Sequence, residues 1–403
     1  MSVIDMVFEG GGAKGMVFVG ALDELLRDSN HSTGRLLGTS AGAITAVLLA
    51  ARYTVDEMQA ALAEKNEAGR SVFESFMGIP SAFSSEQVHN SAVRHFLSDL
   101  DLPFVPDFVE ARLDDWIATQ MAAGGWPRNL FSFVERGGWY SADAFTAWME
   151  RKLNEGTVNG KPRDFGSLTL AQLYERTGAE LTVVAADTTA MRILFLNHTT
   201  APQCPVVWAA RMSMSIPLLW QEVIWQKEWG TYKGEQIAGT VVVDGGMLSN
   251  FPIALFLSSR PEVGDIVGPP QSKNVLGFLI DDRIAVPNLP PPPEQISIPA
   301  GVGELRTVRR LTGLVSTMMS AHDNMAVTVF AKHVVRLPAR GIGTTQFDMT
   351  DGERNALVDG GRTAMRDFLA QQEVLESLTG GPEFSPTPDD VNLANDAALE
   401  MLR

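Results

Sequence analysis

The sequence of 403 residues has one cysteine, Cys204, and few basic residues. A single cysteine excludes an intramolecular disulfide framework and any zinc site built from cysteines. Lysine and arginine together number 32 against 48 aspartates and glutamates, so the net charge is −16. A nucleic-acid-binding protein needs a basic surface to hold the phosphate backbone, and we therefore expect no nucleic-acid partner.

Long apolar segments are also missing. The longest apolar run after the N-terminal strand, residues 41–51, contains Gly42 and Thr45. It is shorter than the ~20 residues that a membrane-spanning helix needs. The N-terminus has no basic segment before its apolar stretch and does not resemble a secretory signal. We expect a soluble protein that is cytoplasmic or bound peripherally to a membrane, and export without a cleaved signal peptide stays open.

Strand-like and helix-like segments alternate along most of the chain. Residues 3–8 form a β-branched run that ends in three glycines, and a helical pattern follows over 14–27. A short apolar run before Gly38 and a helical pattern over 43–53 repeat this order. Later apolar runs predict further strands over 181–187, 192–196, 241–243 and 275–280. This order predicts an α/β protein with three layers, α/β/α, around a mainly parallel central sheet.

A candidate nucleophile lies between the second predicted strand and the helix after it. The segment Gly38-Thr39-Ser40-Ala41-Gly42 fits the pattern G-x-S-x-G. Glycines on both sides allow a sharp turn, and the following helix presents free N–H groups to an anion. The pattern therefore favours Ser40 as a nucleophile, whereas a purely structural glycine–serine turn would give the same five residues.

A second glycine-rich segment follows the first predicted strand and reads Gly10-Gly11-Gly12-Ala13-Lys14-Gly15. A dinucleotide site would need an acid at the end of the second strand, where the serine motif stands instead. A phosphate-binding P-loop would need serine or threonine after its lysine, but Gly15 follows Lys14. A triple-glycine turn supplies flexible backbone N–H groups, so the segment predicts an oxyanion hole. A turn that only tightens strand–helix packing is compatible with the same pattern.

A serine nucleophile needs a base. None of the histidines lies in a turn after a C-terminal strand, where a Ser-His-Asp hydrolase would place one; they are His31, His89, His95, His198, His322 and His333. Asp244 ends a predicted strand and is followed by Gly245 and Gly246, at a strand end where sites in open α/β sheets collect. We predict Asp244 as the base, provided that it lies near Ser40 and is partly desolvated. Asp187 is a second strand-end acid without a glycine turn, and a tight turn is the alternative interpretation of Asp-Gly-Gly.

The three motifs in this order resemble those of the patatin-like phospholipase family. That family has a glycine-rich loop, a G-x-S-x-G serine and, further on, an aspartate followed by glycine. Residues 211–217, Arg-Met-Ser-Met-Ser-Ile-Pro, are also similar to its A-S-x-S-I-P-type segment. The resemblance implies a patatin-like α/β fold and an acyl hydrolase with a Ser-Asp dyad that uses no histidine, metal or cofactor.

The resemblance also implies a role for each residue that matches a motif. Ser40 attacks the ester carbonyl, and Asp244 takes the hydroxyl proton and later deprotonates water. The backbone N–H groups of Gly11 and Gly12, with help from Ala41, hold the oxyanion. Lys14 places a charge near the loop or faces an anionic head group, and we favour the first role.

Changes in composition along the chain predict its domain boundaries. Residues 1–282 are expected to form the patatin-like catalytic domain, interrupted over 68–164 by an insert rich in phenylalanine and tryptophan. That insert is either a lid or wall over the site, or a set of helices on the flank of the sheet. A proline-rich loop is expected over 283–300, a helical segment that completes the domain over 301–372, and an acidic, weakly ordered tail over 373–403.

Three hypotheses for the function follow. The first is a lipid acyl hydrolase of phospholipase A or lysophospholipase type, with a phospholipid or other lipid ester as substrate and peripheral membrane contact. The second is a soluble carboxylesterase that acts on small or neutral lipid esters. The third is a catalytically latent regulatory or binding protein that needs an activator. The sequence itself names no protein activator and no oligomeric state.

Overall fold

The computed structural model describes residues 2–27, 30–98, 125–289, 329–379 and 384–402. The strands in chain order are β1 (Ser2–Phe8), β2 (His31–Thr39), β3 (Gly138–Tyr140), β4 (Thr157–Val158), β5 (Lys161–Pro162), β6 (Leu181–Asp187), β7 (Arg192–Leu196), β8 (Leu218–Trp220), β9 (Val223–Ile224), β10 (Thr231–Tyr232), β11 (Glu235–Gln236), β12 (Val241–Asp244), β13 (Asn274–Ala285) and β14 (Val334–Arg340). The α-helices are α1 (Val17–Leu26), α2 (Ala41–Ala50), α3 (Val55–Leu62), α4 (Ser85–His89), α5 (Ala92–Ser98), α6 (Gly125–Arg136), α7 (Asp143–Asn154), α8 (Leu170–Thr177), α9 (Val206–Ser213), α10 (Ala254–Leu257), α11 (Pro261–Val267), α12 (Asp351–Thr379) and α13 (Pro388–Met401).

One eight-stranded sheet organises the molecule. Five of its strands are parallel and lie in the order β14–β13–β1–β2–β6. Strands β7 and β12 pair antiparallel with β6, and β9 pairs antiparallel with β12. The prediction of a mainly parallel α/β sheet is confirmed. The carboxyl ends of β1 and β2 lie side by side, because Phe8 pairs with Gly38, and this register brings the two glycine motifs together.

Helices cover both faces of the sheet. Along β1, Ile4, Met6 and Phe8 enter one core and Val7 enters the other, as expected from the alternation of side chains in a strand. The first core contains residues of α1, α2 and α12, and the second contains residues of α10 and α13. Strands β1 and β6 are each apolar at five of seven positions, because both faces of the sheet are covered there.

The C-terminal part differs from its prediction. The prediction of a helical segment over 301–372 agrees with α12 from Asp351 onward, but Val334–Arg340 form β14, which continues the sheet by pairing parallel with β13. The prediction of a weakly ordered tail is wrong for Pro388–Met401. These residues form α13, in which Ala394 and Ala398 are completely buried. Thr387 caps this helix and exchanges hydrogen bonds with Asp390. The proline and aspartates that suggested disorder are therefore the start signal of a helix.

The aromatic insert is described over 68–98 and 125–164; residues 99–124 lie outside the described part of the chain, as do 290–328 with the proline run and most of the predicted helix after it. Phe73, Phe76, Phe145 and Trp148 pack together, with ring centroids 5.2–5.5 Å apart along the chain of contacts. Strand β3 of the insert pairs parallel with β8, which ties the insert to the main domain. None of the described helices is long and apolar enough to cross a membrane.

Candidate active site

Ser40 stands at a sharp turn between β2 and α2. Its backbone has φ 53° and ψ −119°, a region that residues other than glycine rarely adopt. A Cβ at Gly38 would lie 2.3 Å from the carbonyl oxygen of Gly42, and one at Gly42 would lie 2.3 Å from that of Phe8. Both glycines of the motif are therefore required by close backbone contacts. The turn places the Ser40 side chain at the N-terminus of α2.

The glycine-rich loop is held by two other segments of the chain. The N–H of Gly10 donates to the carbonyl oxygen of Asn250 at 3.2 Å, and the Asn250 amide donates to the carbonyl of Gly10 at 3.1 Å. The N–H of Ala13 donates to the carbonyl of Thr344 at 2.9 Å. Gly12 has φ +56°, and a Cβ there would lie 2.2 Å from that same carbonyl. The loop is thus fixed before any ligand binds.

These contacts leave a few backbone donors of the loop for a ligand. The N–H of Lys14 donates to the carbonyl of Gly11 at 3.2 Å. Among the described residues, no hydrogen bond engages the N–H groups of Gly11 and Gly12. The N–H of Ala41 is in the first turn of α2, where helical N–H groups have no partner inside the helix. A Cβ at Gly15 would lie 2.6 Å from that of Ala41, so the loop packs closely on α2.

Lys14 is buried beside the loop and has an acidic partner. Its ammonium group lies 2.7 Å from both carboxylate oxygens of Asp282, at the far end of β13. The Asp282 side chain is exposed, so the pair joins the loop to the surface of the sheet. The contact gives Lys14 a counter-charge beside the loop, and its role in steadying the loop stays a prediction.

Asp244 ends β12 and is fully buried. Its Oδ1 accepts a 2.8 Å hydrogen bond from the N–H of Gly246. The Ser40 side chain is close enough to interact with the carboxylate, whereas Oδ2 receives no hydrogen bond of normal geometry from the described residues. Burial raises the pKa of Asp244 to about 7, although the nearby Ser40 side chain and the hydrogen bond from the Gly246 N–H favour the charged form. A Cβ at Gly245 would lie 2.5 Å from the carbonyl of Val184, which explains the first glycine after the acid.

Asp187, the other candidate for the base, makes hydrogen bonds outside the site. Asp187 is buried, but its Oδ1 accepts from the N–H groups of Thr189 and Ala190 at 3.0 Å, and its Oδ2 lies 3.4 Å from the Arg192 guanidinium. It therefore closes the turn between β6 and β7. Within the described residues, no group of three or more histidine, cysteine, aspartate or glutamate side chains could hold a metal ion.

The histidines form other contacts. His31 packs on Phe384, His198 stacks on Tyr174, and His333 lies 3.6 Å from Asp390. His322 lies outside the described residues. A pocket lies beside Ser40, and no histidine is among the described residues that line it. The geometry thus brings Ser40 together with Asp244 and gives His31, His198 and His333 positions in other contacts.

Sequence reasoning missed the residues that position this pair. The N–H of Ser40 donates to Ser213 Oγ at 2.9 Å, and the Ser213 hydroxyl donates to the carbonyl of Val184 at 2.6 Å. The N–H of Asp244 donates to the carbonyl of Ser215 at 3.0 Å. The segment after α9 therefore supports both members of the pair. The only signal in the sequence was the similarity of residues 211–217 to a patatin-like segment.

Arg211 fixes that supporting segment. The guanidinium is buried and donates to the carbonyls of Ser141 at 3.0 Å and Gln221 at 2.8 Å, and to Ser215 Oγ. Burial lowers the pKa of Arg211 to about 10, with the charge of Asp143 acting in the opposite direction. Because Ser141 belongs to the insert, this cation links the insert to the residues that hold the pair.

Replacing Ser213 by alanine is expected to slow acylation of Ser40 about tenfold, because the buried Ser40 N–H loses its acceptor at a cost of about 1–3 kcal/mol. We expect kcat to fall while KM changes little, since Ser213 does not line the pocket. The rate of labelling by a fluorophosphonate reports the same step directly. Ser132→Ala is the matched control, because Ser132 is a buried serine that donates to the carbonyl of Gly138 and accepts from the Gln221 amide. Equal labelling rates in the two variants would contradict this role.

A pocket of about 720 Å³, which includes its opening to solvent, lies beside Ser40. Gly12, Ala13 and Gly15 of the loop line it together with Ser40 and Ala41. Aromatic side chains form much of the remaining wall; they are Phe73, Phe76, Trp148, Trp220 and Phe347. The first three belong to the insert, so that segment contributes a wall of the pocket as well as packing on the main domain.

The chain belongs to the patatin-like phospholipase family, since the family model described as "Patatin-like phospholipase" matches residues 6–257. The family is one of lipid acyl hydrolases, and this gives the class of reaction.

Known proteins show further similarity. The uncharacterized protein YqhO of Bacillus subtilis is 27% identical over 378 residues, which cover 91% of this chain and 98% of YqhO. A patatin-like phospholipase domain-containing protein of Cryptococcus neoformans is 31% identical over 125 residues, 28% of this chain and 14% of that protein. The crystal structure of VipD from Legionella pneumophila is similar with a TM-score of 0.43 and 16% identity, over 99% of this chain and 74% of that one.

Proposed function

We propose that this protein is a serine acyl hydrolase that cleaves carboxylic esters of lipids through a Ser40–Asp244 dyad. Residues 10–15 form its oxyanion loop, and the reaction is of phospholipase A or lysophospholipase type. The observation that carries the proposal is the meeting of Ser40 with a buried carboxylate whose pKa is raised to about 7. A base with a pKa near neutrality can both take and return a proton at physiological pH.

The geometry supports a two-step reaction. The Asp244 carboxylate accepts the Ser40 hydroxyl proton as Oγ attacks the ester carbonyl carbon. The backbone N–H groups of Gly11, Gly12 and Ala41 stabilise the oxyanion. The ester C–O bond breaks, and the leaving alcohol takes the proton from Asp244. Water then gives its proton to Asp244 and attacks the acyl-enzyme; the fatty acid departs and Ser40 regains its hydroxyl proton.

The lining of the pocket supports a lipid ester as substrate. Most side chains around Ser40 are aliphatic or aromatic, and apolar surface of this kind binds an acyl chain by excluding water. Contact with a lipid aggregate is proposed to be peripheral, with the protein cytoplasmic or attached to a membrane surface. A small, polar ester would leave most of this surface exposed to water.

Fatty acid release from mixed phospholipid and lysophospholipid vesicles tests the proposal. We expect release by the parent protein and none above the blank by Ser40→Ala, since the nucleophile is gone. EDTA is expected to leave the rate unchanged. Equal release by the two proteins would contradict the dyad.

Hydrolysis of short-chain nitrophenyl esters and labelling by a fluorophosphonate, measured beside the vesicle assay, separate the two alternatives. A protein that hydrolyses short-chain nitrophenyl esters but ignores vesicles would be a soluble carboxylesterase. A protein whose Ser40 is not labelled by a fluorophosphonate, and which hydrolyses neither substrate, would be a latent regulatory or binding protein.

A further inference from the structure

We propose that the pocket beside Ser40 is an acyl-chain slot of fixed length that runs along one face of α2 and favours octanoyl and decanoyl chains over palmitoyl chains. The inference rests on the proposed function for the identity of the reacting ester. The lining, the length and the packing of the walls define the slot itself.

The lining has no place for a charged or strongly polar group. No described residue that lines the pocket carries a charge, and the loop contributes only its glycines and alanine. Thr45 is the one polar side chain besides Ser40 and the tryptophans, and its hydroxyl donates to the carbonyl of Ala41 at 3.2 Å. The indole N–H groups of Trp148 and Trp220 donate to Glu64 and to the carbonyl of Phe76. A hydrocarbon chain therefore fits the pocket, and a head group must lie outside it.

Helix α2 sets the length of the slot. Ile44 and Leu48, four residues apart, line the pocket from one face of α2, and Ser40 lines it from the position just before the helix. At a rise of 1.5 Å per residue, the axial distance from Ser40 to Leu48 is about 12 Å. An extended octanoyl or decanoyl chain matches this length, whereas an extended palmitoyl chain exceeds it.

The end and the sides of the slot are well packed. Leu48 and Met58, on consecutive helices, are both buried and line the pocket. Phe73, Phe76 and Trp148 form mutual edge-to-face or tilted contacts at 5.2–5.5 Å, and the Trp148 indole is hydrogen-bonded to Glu64. Side chains in such clusters have little room to move, so we infer that a longer chain cannot lengthen the slot.

This geometry predicts how affinity depends on chain length. Each methylene buried in the slot should tighten binding roughly fourfold. The gain should stop when the chain end reaches Leu48 and Met58. Further carbons should then add nothing or weaken binding.

Binding of monomeric fatty acids to Ser40→Ala, measured by calorimetry, tests the slot without depending on hydrolysis. We expect affinity to rise from butyrate to octanoate and decanoate, and to rise no further at palmitate. A steady increase up to palmitate, or affinities that do not vary with chain length, would overturn the proposal. Nitrophenyl esters of the same acids give the parallel profile of kcat/KM for the parent protein.

Two adjacent alanines of α3 provide a matched pair of variants. Ala61 is buried and lines the pocket, whereas Ala60 is exposed. Ala61→Leu should narrow the slot and lower the ratio of decanoate to butyrate hydrolysis at least tenfold, while Ala60→Leu should leave the profile unchanged. Leu48→Ala, which opens the end, should move the optimum towards longer chains. Identical profiles in the parent protein, Ala61→Leu and Leu48→Ala would refute the fixed slot.

The outcomes separate failure of the slot from failure of the proposed function. If no ester is hydrolysed but the affinity for fatty acids stops rising at octanoate or decanoate, the slot is correct and the proposed function is not. If Ser40-dependent hydrolysis occurs without a chain-length limit, the proposed function stands and the slot is refuted.

Discussion

Asp244→Asn is expected to lower kcat for ester hydrolysis roughly 10²–10⁴-fold, the range that a general base contributes. The asparagine amide cannot take the Ser40 proton. Its carbonyl oxygen can still accept from the N–H of Gly246, so the turn that Asp244 forms should survive. Steady-state kinetics with a soluble short-chain ester measures the effect. Asp187→Asn is the control for a strand-end acid outside the site and should keep the parent's rate.

The same substitution should raise stability at alkaline pH. The pKa of Asp244 is raised from 3.8 to about 7 in the folded protein. The folded state therefore binds more protons than the unfolded state between these values, and stability from this group is lost as pH rises through 7. The asparagine side chain does not titrate. The free energy of unfolding of Asp244→Asn, relative to that of the parent, should therefore grow by about 4 kcal/mol between pH 4 and pH 8. Thermal melts at both pH values test this, and a constant difference would contradict the buried carboxylate.

Besides the loss of kcat in Asp244→Asn, we expect a strong dependence of kcat/KM on pH in the parent protein. Hydrolysis needs the ionised form of Asp244, whose pKa burial raises to about 7. Below that value kcat/KM should fall about tenfold per pH unit, so that the rate at pH 5 is roughly one hundredth of the plateau above pH 8. The residual activity of Asp244→Asn should lack this inflection. An inflection near pH 4 in the parent would mean that the carboxylate is solvated, and one that persists in Asp244→Asn would assign it to another group.

The sequence allowed the prediction of those parts of the site that the local backbone determines. Gly38 and Gly42 are required by contacts within the turn itself and with the end of β1. The motif can therefore be recognised from five consecutive residues of the sequence. The supporting contacts of Ser213 and Asn250 were missed. Each is a hydrogen bond to backbone atoms of a segment remote in the chain, and such a bond leaves no periodic or spacing pattern in the sequence.

Two other expectations depended on composition, which does not determine packing. For the aromatic insert, the sequence allows either a wall or flank packing, because hydrophobicity indicates that Phe76 and Trp148 are buried but does not show against which surface. Helix α13 was missed because Pro388 and Asp390 are typical of loops as well as of helix starts. Its buried face consists of Ala394 and Ala398, which give only a weak apolar signal.

The most direct test of the Ser40–Asp244 dyad is to locate the covalent adduct formed with a fluorophosphonate by mass spectrometry of peptides. We predict a single adduct on Ser40 in the parent protein, formed more slowly below pH 7 and much more slowly in Asp244→Asn. An adduct on any other residue, or ester hydrolysis that continues after Ser40 is replaced by alanine, would contradict the account.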